Sequence, residues 1–328
     1  DRTAKYNPET SSSVYNGQLN PMRPVRVKAT HPVTAQTATL FYGYVSVWEH
    51  DPAPDVRQSQ IEAIDLLEWL DNSFPNVTSV SDITFGNAIK RILESTEVAF
   101  TDTSKHALDA GRALSSFSAD GTKSARTVIE DLITADQGEF FMSGGGVATF
   151  KAWDTLWKKA AAATTFSESL IGEVRPSAML RNLINRQTVT RSGGVAQTVN
   201  DSASQKSYAI RQGSGITTTY LTADSDALQI AQWIVARRAT PQRPAHSLLV
   251  SNKSDALLTQ QLTRELTDYV TVSETLGGTS LSGHIVGIEH EIDMGGRQWR
   301  TKYAVARKPK HAFTIGQSVL NGVDVIGF

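Results

Sequence analysis

The stretch GHIVGIEHEIDMGGRQWRTKYAVAR, Gly283 to Arg307, decides how the rest of the chain is read. It alternates like an antiparallel hairpin, and residue types alone set its register. With Met294, Gly295, Gly296 and Arg297 in the loop, the adjacent glycines supply the φ > 0 positions a tight connection needs. Asp293 then faces Gln298, Ile292 faces Trp299, Ile288 faces Tyr303 and Val286 faces Val305. Between these lie Glu291 opposite Arg300 and Glu289 opposite Lys302. Side chains alternate across a strand, so the apolar set shares one face and the two acid–base pairs share the other. A slip of one residue would set apolar against charged residues at several places at once. The expectation is a buried face carrying the three apolar pairs, in the core of a last β domain, and an opposite face that is charged but balanced.

Composition sets wider bounds. A chain of 328 residues holds two or three domains with ample core. With 32 Lys plus Arg against 33 Asp plus Glu, the formal net charge is −1, which gives the whole chain no electrostatic pull toward nucleic acid or anionic membranes. The absence of cysteine removes disulfides, thiolate zinc sites, iron–sulfur clusters and cysteine nucleophiles together. No apolar run reaches the length of a membrane-crossing helix.

Residues 1–24 are polar and punctuated by Pro8, Gly17, Pro21 and Pro24, a long connector lying on a surface or against a partner. VRVKAT then starts a strand, and ATLFYGYVSVWE (38–49) is a stronger one, rich in aromatic and β-branched residues. Segment 56–71 has two readings: a helical face through Ile61, Ile64 and Leu67, or a strand leading into a short helix. From about Asp82, DITFGNAIKRILEST places Ile89, Ile92 and Leu93 at helical spacing. GTKSARTVIEDLITADQG is a second helix, with Thr122 or Ser124 as N-cap and Gly138 in the C′ position. EFFM, SGGG and VATFKAW form a hairpin, so helix and hairpin together suggest a small α+β domain of about one hundred residues. Residues 153–181 read as a poorly patterned connector. NLINRQTVTR is a strand turning at Ser192, Gly193 and Gly194 into VAQTVND. ADSDALQIAQWIVARRA is the clearest helix, capped by Asp224 or Ser225, with Arg237 and Arg238 in its last turn. SLLVSN, LTDYVTVSE, the hairpin and a tail FTIGQSVLNGVDVIGF complete a mostly antiparallel β domain with one helix packed on it.

Residues with the spacing of a reactive site are scarce. His284 and His290 lie six apart and share a strand face in this register, but no third ligand is near them, and both read as structural. His290-Glu291 opens like a zincin motif, yet Met294 stands where the second histidine belongs. SGGGVATFK lacks the spacing of a phosphate-binding loop and reads as a hairpin turn. There is no GxSxG elbow. The basic run Arg297, Arg300, Lys302, Arg307, Lys308, Lys310 suggests a polyanion, but the register already gives Arg300 and Lys302 partners. Trp233 and Trp299 read as core aromatics. No catalytic, cofactor-binding or metal residue is assigned, no cofactor is implied, and the chain is not expected to be an enzyme.

The segments KYNPETSSSVYNGQLNPMRPVRV and LFYGYVSVW resemble the opening of the minor tail proteins of long-tailed, non-contractile bacteriophages (siphoviruses). The resemblance continues through AIKRIL, TVIEDLITADQGEFF, NLINRQTVTR, ALQIAQWIVAR, DYVTVSE, the hairpin and the terminal LNG…IGF. It spans almost the whole chain, with its weakest stretch at 151–181. Such proteins are similar to the central hub of contractile-tail baseplates. The resemblance implies an α+β, mainly β chain with two tube-forming antiparallel β-barrel-like domains, 1–82 and 182–328, and a small α+β domain with connector, 83–181, between them. It implies a homotrimeric virion protein at the distal end of the tail. There it would adapt a six-fold tube to a three-fold central fibre or spike, beside a distal tail protein or tail tube ring, around a channel for tape-measure protein and DNA. A charge-balanced face would suit a wall past which DNA slides, since unpaired cations hold phosphates. In that family a strand precedes the turn where Asp1 falls, so upstream residues are expected to complete the first barrel. The rival reading is a carbohydrate-binding or carbohydrate-cleaving β protein of the host cell surface, which needs an open cleft with clustered aromatics and a carboxylate pair. A free-standing binding module is a second rival.

Overall fold

The computed structural model describes residues 7, 10–50, 59–157, 162–167, 183–241, 246–274, 279–293 and 298–307. The chain first builds an antiparallel sheet from β1 (Pro24–Thr30), β2 (Thr37–His50) and β3 (Ser59–Ile64), with β2 in the centre. Of the two readings of 56–71, the structure takes the strand leading into a short helix, α1 (Leu66–Asp71). Asp65 ends the extended run and accepts the Leu67 N–H at 2.9 Å, an N-cap that starts the helix.

The middle part holds β4 (Asn76–Thr84), α2 (Phe85–Leu93), β5 (His106–Leu108), β6 (Ala113–Asp120), α3 (Ala125–Asp136), β7 (Glu139–Met142), β8 (Ala148–Lys151) and α4 (Trp153–Trp157). β4 and β6 pair as an antiparallel ribbon, while β5, β8 and β7 form a second small sheet. The helical spacing of Ile89, Ile92 and Leu93 is real, since all three are fully buried. Ser124, not Thr122, caps α3 by accepting the Thr127 N–H at 3.3 Å. The left-handed residue that ends α3 is Gln137, not Gly138. Gly138 instead answers to packing, because a Cβ there would lie 2.6 Å from the Lys151 carbonyl oxygen on β8.

Next come β9 (Thr164–Ser167), β10 (Arg186–Arg191), β11 (Gln197–Asn200), α5 (Ser202–Tyr208), β12 (Ile216–Thr218) and α6 (Asp224–Arg238). Neither expected cap of α6 serves: Ala223 holds the N-cap position, and the Asp226 carboxylate accepts its N–H at 3.1 Å. Asp224 is drawn away by Arg191 Nε at 2.7 Å, tying the helix to the turn after β10.

The last sheet comprises β13 (His246–Ser251), β14 (Tyr269–Glu274), β15 (Thr279–Ile292) and β16 (Trp299–Arg307), with α7 (Asp255–Thr263) between β13 and β14. Its order is β13-β16-β15-β14-β9, so the stretch read as a connector contributes an edge strand, parallel to β14. α5 and α7 exceed the single helix expected in this third. Both are polar, and α7 turns only Leu257, Gln261 and Leu262 fully inward.

The hairpin register holds at Ile292–Trp299, Glu291–Arg300, Glu289–Lys302 and Ile288–Tyr303. It shifts at a bulge between Ile285 and Gly287, so Val305 faces Ile285 rather than Val286. The cause lies on the neighbouring side. Ile285 gives its N–H to the Asp268 carbonyl at 2.9 Å and accepts the Thr267 N–H at 2.8 Å. Ile285 is therefore fully buried, while Val286, the extra residue, is 40% exposed. The outermost pair also departs from expectation: Trp299 is buried, but Ile292 stays 43% exposed where the hairpin overhangs its sheet. The loop Met294–Arg297 and the C-terminal tail lie outside the described residues. Asp293 and Gln298 close the described part of the hairpin with two hydrogen bonds, of 3.0 and 2.9 Å.

Three hydrophobic clusters hold these parts. The largest runs from Leu66 to Ala152 around Phe85, Phe117, Phe150 and α2–α3. A second lies under the last sheet with Phe166, Val270, Ile285, Tyr303 and Val305, and a third joins α6 to β10.

Candidate functional site

The outward face of the last sheet follows from strand alternation. On β16, Trp299, Thr301, Tyr303 and Val305 turn inward and are buried, which sends Arg300 and Lys302 outward. Lys302 Nζ stands 3.4 Å from a Glu289 carboxylate oxygen and Arg300 Nη1 3.9 Å from one of Glu291. All four side chains are more than half exposed, so these are solvated pairs that contribute little to stability but cancel charge locally. Toward β14 the same face becomes uncharged, with the Thr271 and Ser282 hydroxyls 3.0 Å apart. Of the basic run read from the sequence, Arg300 and Lys302 are thus paired and Arg307 ends β16, while Arg297, Lys308 and Lys310 lie outside the described residues.

The two histidines are parted by the same bulge. Six residues apart in an unbroken strand they would share a face, but the extra residue sends His284 outward and leaves His290 inward. His284 Nδ1 lies 2.8 Å from the Thr267 carbonyl oxygen. His290 Nδ1 accepts the Trp299 indole N–H at 3.1 Å and lies 2.9 Å from the Thr301 hydroxyl. An Nδ1 that accepts leaves the imidazole proton on Nε2, and burial pushes the His290 pKa down, so the ring is neutral. No cluster of three or more His, Asp or Glu side chains able to hold a metal occurs among the described residues.

A cavity of about 360 Å³ opens where the three parts meet, lined among others by Tyr42, Asp65, Gly144, Gln261, Glu265 and His290. Burial pushes both carboxyl groups above their ordinary range. Both are already engaged by the backbone, since Asp65 caps α1 and Glu265 accepts the Gly144 N–H at 3.1 Å. Both carboxyl groups thus serve as backbone acceptors here. Sequence reasoning missed this cleft because its residues are distant in the chain, joined only by the docking of the parts. The single local signal was the SGGG turn.

Trp233 and Trp299 are both buried, as core aromatics. None of the described helices is long and apolar enough to cross a membrane.

No protein-family model and no curated protein matches the sequence. Solved structures do match the fold. A tail protein from Neisseria meningitidis MC58 superposes with a TM-score of 0.61 at 11% identity, covering 87% of this chain and 92% of that one. The 43 kDa tail protein of prophage MuSo2 from Shewanella oneidensis gives 0.57 at 15% identity, over 82% and 77%. The Escherichia coli c3393 protein gives 0.50 at 9% identity, over 94% and 69%. That protein is described as a component of the type VI secretion system with structural similarity to the T4 bacteriophage tail proteins gp27 and gp5. The chain thus has the α+β, mainly β fold found in phage tail proteins and their hub-like relatives.

Proposed function

We propose that this chain is a structural, non-catalytic component of a phage tail, placed at the tail tip as a hub. In this reading three copies close into a ring in which the first and last β units of each chain imitate six-fold symmetry. The ring meets the tail tube or a distal tail protein above and a central fibre or spike below, and tape-measure protein and then DNA pass through it. In this reading the units are 1–82, 83–181 and 182–328, with Leu66, Leu70 and Val77 lending their side chains to the middle core and Phe166 to the last.

The observation that carries this reading is the outward face of the last sheet. It is a broad strand surface on which Arg300 and Lys302 each have a carboxylate opposite, and which turns to Ser and Thr hydroxyls toward β14. At these positions the wall offers DNA no uncompensated charge to bind. The likeness to tail proteins over most of the chain supports the same reading.

The test is an averaged cryo-electron micrograph of the assembled particle, together with the native mass of the purified chain. The expected result is three copies at the distal end of the tail with both β units on the channel wall. A ring in which one β unit stands away from the axis would end the six-fold argument. A well-behaved monomer found away from the tail would return the reading to a free-standing binding module.

A further inference from the structure

The first and last sheets share no strand pairing among the described residues, so their relative angle is not fixed by a common ladder. A turn belonging to the middle part links them. Between β7 and β8 the chain runs Ser143-Gly144-Gly145-Gly146, and three of its features reach outward. The Gly144 N–H is donated to a Glu265 carboxylate oxygen at 3.1 Å, on the loop between α7 and β14. The Gly145 carbonyl accepts Lys105 Nζ at 2.9 Å, and that ammonium also lies 5.3 Å from the centre of the Tyr42 ring on β2. The backbone itself is wedged. A Cβ on Gly144 would stand 2.7 Å from the Thr39 carbonyl oxygen and 2.9 Å from that of Leu40, and a Cβ on Gly146 would enter the Tyr42 ring at 2.4 Å. Gly146 also holds φ +73°. Glycines are used here because β2 leaves no space for side chains.

We propose that the Ser143–Gly146 turn is a releasable lock on the angle between the first and last sheets, pinned by Glu265. The lock is small and polar. It consists of one charge-assisted hydrogen bond, one ammonium held between a carbonyl and a ring, and a steric fit, which is the kind of contact that opens without unfolding either side. A second contact runs parallel to it, the His31 ring seated on the first residue of α7. Such a lock belongs to the isolated chain and stands whether or not the hub reading does.

Glu265 sits among several charged groups. The groups around it are Asp268, which repels it, Arg264, which is engaged by Asp268 at 3.0 Å, the Asp65 carboxyl and neutral His290 across the cavity, and Lys105, whose ammonium donates to the Gly145 carbonyl. Burial raises its pKa above the ordinary 4.5 of a free glutamate, while the hydrogen bond from Gly144 works against that shift by favouring the carboxylate. The contact that pins the turn is thus one that an ionised Glu265 makes best.

The absence of cysteine makes the test direct. Glu62→Cys on β3 and Lys253→Cys before α7, both exposed positions, carry spin labels, and pulsed electron resonance reads the distance between them in the full chain. Gly144→Val is expected to give a roughly twofold broader distance distribution, by forcing the turn off β2. Gly145→Ala, whose Cβ would meet nothing closer than 3.7 Å, should leave the distribution unchanged. Glu265→Ala removes the acceptor for Gly144 and should broaden the distribution, whereas Glu265→Gln keeps an acceptor and should leave it narrow. Should Gly144→Val fail to fold, the pair Glu265→Ala and Glu265→Gln stands alone as the test. Unchanged width in folded Gly144→Val, or in Glu265→Ala, would overturn the proposal.

Discussion

The first and last sheets are each organised around a strand of 14 residues, β2 and β15, yet they are held together in different ways. The last sheet covers its own core: Phe166, Leu248, Val250, Val270, Ile285, Tyr303 and Val305 are all fully buried beneath it. In the first sheet, Val45 is the one fully buried large apolar side chain among the described residues of β1–β3, and Val27 and Ile61 are 42% and 46% exposed. What order that sheet has comes largely from outside it, from the Tyr44 ring in edge contact with Trp69 of α1 at 5.7 Å and from the docking of β2 on α7 and the glycine turn. A sheet with a core is a folding unit. A sheet without one depends on its neighbours, and the exposed apolar residues of β1 and β3 are where further neighbours would add most.

Core substitutions test this contrast most severely. Tyr303 is fully buried and its hydroxyl donates to the Gln260 carbonyl at 3.1 Å, so Tyr303→Ala should lower the unfolding free energy in urea by about 3–5 kcal/mol. Ile61→Ala, on the exposed side of the first sheet, should change it by no more than about 0.5 kcal/mol in the isolated chain. Comparable losses at both positions would mean that the first sheet has a core of its own.

The next effect in size falls on the link between the sheets. The buried His31 ring accepts the Val33 and Thr34 N–H groups through Nδ1, both at 3.2 Å, and reaches the Asp255 carbonyl through Nε2 at 3.2 Å. Removing the ring leaves these backbone groups without their partner, so His31→Ala should cost about 1–3 kcal/mol. Hydrogen exchange should accelerate in β1 and β2 and not in β14–β16. Equal acceleration in both sheets would break the comparison, because the last sheet would then depend on the first.

How much of this was legible in the sequence follows the same division. The hairpin register could be read because its code is dense, with apolar and charged pairs alternating along both strands, and it failed only at Val286. There the bulge is caused by Thr267 and Asp268 on the other side of the strand, which local pairing cannot reveal. α2 and α3 were legible from Ile89, Ile92, Val128 and Leu132. β4 and β6, written in NVTSVSDIT and ALSSFSAD, were not, because their Ser and Thr residues look like loop until each strand finds the other. β9 was hidden for a related reason: TTFS becomes a strand only beside β14, about a hundred residues away. The cleft around Glu265 lay beyond any local pattern, being made by the docking of three separate stretches.

A pH titration sharpens the comparison inside the last sheet. The His290 pKa is pushed down by burial, so the folded chain binds its proton less readily than the unfolded chain does. Stability from this residue is therefore complete above about pH 6.5, the ordinary histidine value, and falls as the pH drops below it. His290→Gln, which retains an acceptor for the Trp299 indole N–H, should flatten the stability profile between about pH 7 and about pH 5. Glu265 acts with the opposite sign, so the double variant with Glu265→Gln separates the two. An unchanged slope in His290→Gln would show that the ring does not carry the acid sensitivity.

The smallest expected effect concerns the outward pairs, where the sheet is held by neither core nor docking. Arg300→Glu places like charges opposite Glu291, while the backbone ladder and the buried Trp299 and Thr301 on either side remain. Because Arg300 and Glu291 are 52% and 76% exposed and their closest atoms stand 3.9 Å apart, solvent screens most of the interaction. The loss should be about 0.2–1 kcal/mol and should shrink in high salt. Adding Glu291→Arg reverses the pair and should recover part of it, which a double-mutant cycle measures directly. If the face lines a channel, the single variant should disturb passage more than folding: it folds nearly normally but leaves a net negative wall, and particles carrying it should release DNA at an altered rate. A coupling energy of zero between Arg300 and Glu291, with Trp299 still buried, would reduce the pairing to coincidence of register and leave the outward face without its balancing role.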